Sequence, residues 1–194
     1  MTGEILPARI DAADALRCFE RRRFGNLFGL MPYRPAKVGP DGRPSSLELV
    51  WMPVYAFQFS MIFQGKPVQS WVSVDASFGG FALLGRMGEL VEAAPEGEVF
   101  SPVLSTEYAE GLAREGVVRY IMRKRGAKPG VDGIVARKIF HTPVWVYYFR
   151  TFGDKLDLAV LDAYSGDTMG GLVRRAIVDA FIAKGKKAAG AGTG

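Results

Sequence analysis

Two stretches of the chain place an aromatic residue at every second position. Tyr55, Phe57 and Phe59 form one series, and Trp145, Tyr147 and Phe149 form the other. A period of two is strand periodicity and puts each series on one face of a sheet. Each series runs through a short turn, Gln64-Gly65-Lys66-Pro67 or Gly153-Asp154-Lys155, into a return strand over Val68–Asp75 or Leu156–Asp162. The pattern predicts two β-hairpins. Faces this rich in aromatics need cover, which a helix supplies most simply.

Three segments carry helical spacing. The first is Ala12–Arg23, with Leu16 and Phe19 or Cys18 facing inward. The second is Glu107–Lys124, with Ser105 or Thr106 as N-cap, Glu107 and Glu110 at the positive end of the dipole and Arg123, Lys124 and Arg125 at the negative end. Gly111 and Gly116 lower its intrinsic propensity. The third is Leu172–Lys184, where Leu172, Val173, Ala176, Ile177, Ala180 and Phe181 form an apolar stripe opposite Arg174, Arg175 and Asp179. The Gly, Ala and Lys tail from Gly185 reads as disordered.

The chain also reads as written twice. Pro53–Phe59 aligns with Pro143–Phe149, and Val72–Ser77 aligns with Ala159–Tyr164, with the length difference confined to the hairpin turn. Both return strands end alike, in Asp75-Ala76-Ser77-Phe78-Gly79 and Asp162-Ala163-Tyr164-Ser165-Gly166. An Asp there accepts bonds from the next backbone N–H groups, and the Gly supplies a positive φ. Met31–Ser46 is rich in Pro and Gly and reads as a loop or arm, and Glu89–Pro102 as a linker. The expected fold is therefore α+β, with two tandem helix–β-hairpin repeats, antiparallel sheets covered by helices and a C-terminal amphipathic helix. The repeats are placed at 1–92 and 103–184, as separate units or merged into one domain, with a disordered tail over 185–194.

Helix, aromatic strand, turn and return strand closing on Val-Asp-Ala-x-x-Gly resemble the PepSY-type module. The residues that carry the resemblance are Tyr55–Ser60 with Val72–Gly79, and Trp145–Arg150 with Val160–Gly166. Proteins of that family are mostly exported or membrane-anchored and are associated with binding or inhibition. The resemblance thus implies a binding module. The start of this chain reads as lacking a signal peptide, so the architecture alone is carried over.

Composition narrows the chemistry. A chain of 194 residues, 48% hydrophobic and 23% charged, buries a core without a disulfide or metal staple. It holds one cysteine, Cys18, and one histidine, His141, too few for a Cys/His zinc site. No apolar run reaches spanning length, and with a lone cysteine the expected setting is cytoplasmic. No cofactor or metal is expected. Asp75 and Asp162 are candidates for acid/base work or a hard cation, against plain turn capping. His141 has no Ser or Cys nucleophile motif beside it and reads as a strand residue. Gly79-Gly80 and Gly170-Gly171 fit no phosphate-loop pattern. The latter pair does precede a helix with Arg174 and Arg175, which marks an anion site at that N-terminus.

These features give three readings. The leading one is a non-catalytic binding or scaffold protein whose partner is another protein or a second copy. Its contact residues are Phe24, Leu27, Phe28 and Tyr33 beside the Pro-rich loop, and Tyr148 with Arg150 on the outer face of the second hairpin. The alternative is a nucleic-acid or polyanion binder. It rests on a net charge of +5 and three basic clusters, Arg21-Arg22-Arg23, Arg123-Lys124-Arg125 with Lys128, and Lys184 with Lys186 and Lys187. The third is a carboxylate enzyme working through Asp75 and Asp162.

Overall fold

The computed structural model describes residues 3–21, 34–35, 46–84, 87, 89–150 and 155–191. Among them are nine strands and three helices in the order β1 (Gly3–Ile5), α1 (Ala12–Arg21), β2 (Arg34–Pro35), β3 (Leu47–Phe63), β4 (Lys66–Asp75), β5 (Phe81–Leu84), β6 (Val91–Ala93), β7 (Glu98–Val99), α2 (Thr106–Arg123), β8 (Gly130–Arg150), β9 (Leu156–Asp162) and α3 (Gly171–Ala191).

The fold is dominated by sheet, which corrects the expectation of two helix–hairpin repeats. All nine strands belong to one mixed sheet with the path β5-β4-β3-β8-β1-β6, to which β2, β7 and β9 add by pairing with β8, β3 and β8. The reason lies in β3 and β8. They run for 17 and 21 residues, against about 5–6 for an average strand. Apolar and β-branched residues continue well upstream of each aromatic series, through Leu47-Glu48-Leu49-Val50-Trp51 and Val131–Phe140. Parts of the presumed linkers also become strand: Pro35, Val91–Ala93 and Glu98–Val99 all pair.

The chain forms two compact units, and each is discontinuous in sequence. One comprises Met1–Pro7, Met52–Pro95 and Ser101–Thr142, and the other Ala8–Trp51, Glu96–Phe100 and Pro143–Gly194.

In the first unit, β3 and β4 pair antiparallel from Val54↔Asp75 to Phe63↔Lys66. Gln64 and Gly65 close the hairpin with φ of 51° and 74°, as a two-residue turn with positive φ at both positions requires. Tyr55, Phe57 and Phe59 pack with Val72 and Val74 against Ala109, Ala113, Val117 and Ile121 of α2. The other side of the hairpin is also covered. Val54, Ala56 and Phe140 lie beneath Leu6, Leu84, Met87 and Leu90.

In the second unit, β8 and β9 pair antiparallel from Val144↔Asp162 to Arg150↔Leu156. Tyr147, Phe149 and Leu161 pack with Ala15 and Phe19 of α1. The Phe19 and Tyr147 rings stack at 5.2 Å. On the other side, Phe181 of α3 meets Phe100 edge-on at 5.2 Å and Tyr148 at 6.5 Å. Val173 and Ile177 are buried, whereas Leu172, which the sequence pattern put in the same stripe, is exposed. The α3 helix passes Lys184 and reaches Ala191. Ala and Lys are strong helix formers, which lets it run through the stretch read as disordered.

A helix thus packs on the hairpin from the opposite half of the sequence. The α2 helix, just upstream of the second hairpin, covers the first, and α1, upstream of the first, packs on the second.

Candidate functional site

The Asp75 and Asp162 carboxylates hold their own turns. Oδ1 of Asp75 accepts from the N–H groups of Ser77 and Phe78 at 2.8 and 3.1 Å. Oδ1 of Asp162 accepts from those of Tyr164 and Ser165 at 2.8 and 3.2 Å. Backbone bonds complete each turn alike. Asp75 N–H donates to the Gly80 carbonyl and Gly79 N–H to the Asp75 carbonyl, while Asp162 N–H donates to Asp167 and Gly166 N–H to Asp162. Gly79 and Gly166 sit at φ of +79° and +77°. The two turns also anchor the strand-to-helix connections. Val103 and Leu104 donate to the Ala76 carbonyl, and Arg9 and Ile10 donate to that of Ala163. Burial pushes both carboxyl groups above their ordinary range, and the turn N–H bonds pull against it.

The sequence-predicted contact residues are placed unevenly. Phe24, Leu27, Phe28 and Tyr33 lie outside the described residues. Tyr148 is 1% exposed and its hydroxyl bonds Glu48 Oε2 at 2.9 Å. It is a core residue beneath α3, which corrects its reading as a surface anchor. Its neighbour Arg150 is half-buried at the end of β8, paired with Leu156 on one side and Arg34 on the other. Arg174 forms an ion pair with Asp157 at 2.6 Å, and Arg175 with Asp179 at 3.7 Å. Both cations of the expected anion site therefore face carboxylates. His141 pairs its backbone with Ile5, and its carbonyl accepts from Leu6 N–H at 2.9 Å. Lys184 of the C-terminal basic cluster pairs with Glu98.

Two grooves escaped the sequence reading, one in each unit. In the second unit a hollow of about 200 Å³ opens between β9 and α3. Tyr148, Leu158 and Phe181 form its floor, with Leu156, Val178 and Ile182 around it. Those last three are 45%, 38% and 51% exposed. The helical stripe of α3 was legible, but the exposed positions beside it gain meaning only next to Leu156 of the hairpin. In the first unit a groove of about 420 Å³ runs along α2 beside β5, lined by Gly79, Phe81, Leu112, Arg119, Tyr120 and Arg123 among others. The basic end of this helix was visible in the sequence; the aromatic floor was not, because β5 follows a turn that gave no strand pattern.

The chain matches no protein-family model, no curated protein and no solved structure. Among the described residues, no helix is long and apolar enough to cross a membrane.

Proposed function

We propose that this is a non-catalytic binding protein that takes an apolar segment of a protein partner in the groove between β9 and α3. The observation that supports this reading is the convergence of exposed Leu156, Val178 and Ile182 on a concave apolar floor. Val178 and Ile182 stand one helical turn apart and so share a face. Such a groove suits the apolar side of a partner helix. The anchors are rigid, since Phe181 is wedged between Phe100 and Tyr148, and pre-organised aromatic floors reduce the ordering cost of binding.

Internal duplication and a distant PepSY-type kinship belong to the same proposal, supported by the matching bonds of the two Asp-capped turns. A cytoplasmic setting belongs to it as well, supported by the lone free Cys18.

The test places a photo-crosslinking residue at position 182 in the full chain and compares it with one at exposed Val118 of α2. Position 182 should give a discrete crosslinked protein species, either a dimer or a heteromer. Leu156→Asp should abolish it while the far-UV spectrum and melting temperature hold. Crosslinking that is equal at both positions, or unaffected by Leu156→Asp, refutes the reading.

A further inference from the structure

We propose that the groove between α2 and β5 binds a small amphipathic anion, an apolar body carrying one carboxylate or phosphate-type head. Four features converge there. The groove, at about 420 Å³, lies in the size range of small-molecule sites, about 300–1,000 Å³. Its floor is apolar, built from Phe81 and Leu112 beside Gly79. Its wall carries Arg119 and Arg123, which an i,i+4 spacing places on one helix face. Tyr120 stands between them in sequence, and the Lys124 amine lies 4.7 Å from its ring centroid.

The helix dipole accounts for cations near a helix C-terminus. It does not account for two guanidinium groups bordering an apolar hollow. Arg123 makes no ion pair with any other described residue. Arg119 pairs with Glu115, and both side chains are more than half exposed. A pair that exposed contributes little and exchanges readily for a better acceptor. Guanidinium groups bind carboxylate and phosphate oxygens in paired bonds, while Phe81, Leu112 and Tyr120 offer surface to an apolar body. Gly116 makes the geometry. A Cβ there would run into the Phe81 ring, so glycine lets β5 close on the helix and sets the groove floor. A half-open groove with an apolar floor and cations on one wall favours a compact amphiphile over an extended polyanion, which needs a basic track.

The probe is 8-anilinonaphthalene-1-sulfonate, titrated by fluorescence into the full-length chain, with neutral N-phenyl-1-naphthylamine as the uncharged counterpart. The chain should bind one equivalent of the sulfonate saturably. Arg119→Gln with Arg123→Gln should weaken it about tenfold or more and leave the neutral probe unchanged. Arg175→Gln, an exposed charge change elsewhere, should have no effect. Inorganic phosphate, a head without a body, should not compete. Four results would each overturn the proposal: no saturable binding, equal binding by the double variant, equal loss in Arg175→Gln, or full displacement by phosphate. Both arginines are exposed at the groove wall, so circular dichroism should show the double variant folded.

Discussion

The two hairpins present the same problem, a row of aromatics in need of cover, and their helices answer it differently. The α1 helix uses size. Phe19 stacks on Tyr147, and Tyr147 stacks on Phe149 with centroids 6.2 Å apart. The α2 helix uses smallness. Ala109, Ala113 and Gly116 let its backbone approach Tyr55, Phe57, Phe59 and Phe81. One interface centres on a large ring beside Ala15, and in the other small residues share the helix face with Val117 and Ile121. On α1 the ring of Phe19 packs beside Ala15, with Leu16 and Cys18 at the edge of the contact, while α2 spreads its contact over five buried positions.

The largest loss is expected at Phe19. Phe19→Ala should cost about 3–5 kcal/mol, because it empties a buried aromatic site. Urea denaturation measures this, and loss of the Tyr147 ring environment should accompany it. Gly116→Val attacks α2 from the opposite side, by adding volume. It should cost about 3 kcal/mol, the upper end for overpacking, since the new side chain meets Phe81. Gly111→Ala on the same helix sharpens the contrast. A Cβ at Gly111 meets nothing within 4 Å, so the change should stabilise by about 0.5–1 kcal/mol through helix propensity alone.

The Asp-capped turns carry a smaller and pH-dependent effect. Asp75→Asn keeps an oxygen for the Ser77 and Phe78 N–H groups but cannot ionise. Burial raises the Asp75 carboxyl above its ordinary value. A raised acid favours the folded state below its unfolded pKa, and that advantage is lost as pH rises through its folded value. Wild type should therefore lose stability relative to Asp75→Asn as pH climbs from about 3 past the ordinary carboxylate range near 4. Asp162→Asn should behave alike. Glu110 gives the opposite sign, since Arg114 and Arg137 hold its carboxyl low. Glu110→Gln should cost about 0.5 kcal/mol at neutral pH, a difference that shrinks on acidification.

What could be read from the sequence follows physical range. The aromatic strands, the β9 bounds and the Asp turns are local, set by period two and by turn chemistry within five residues. The α2 and α3 helices were legible to within a residue or two at their starts for the same reason. Tyr148 was misplaced because alternation separates two faces without saying whether the second is covered, and Phe181 of α3 covers it. The short strands Val91–Ala93 and Glu98–Val99 exist only through pairing with Gly3–Ile5 and Val50–Trp51, long-range partners that no local pattern encodes. The α2 groove was half legible. Arg123 and Lys124 stood out as a basic cluster, while Phe81 and Gly116 become neighbours only in three dimensions.

Each half of the chain lends its helix to the hairpin of the other half in a reciprocal exchange. It is tested most directly by producing residues 1–95 and 96–194 separately and recording near-UV circular dichroism before and after mixing. Each fragment alone should lack the native aromatic signal, because Tyr55, Phe57 and Phe59 or Tyr147 and Phe149 are left without their helix, and the mixture should regain it. Either fragment folding cooperatively by itself, with a native-like signal unchanged by adding the other, would contradict it.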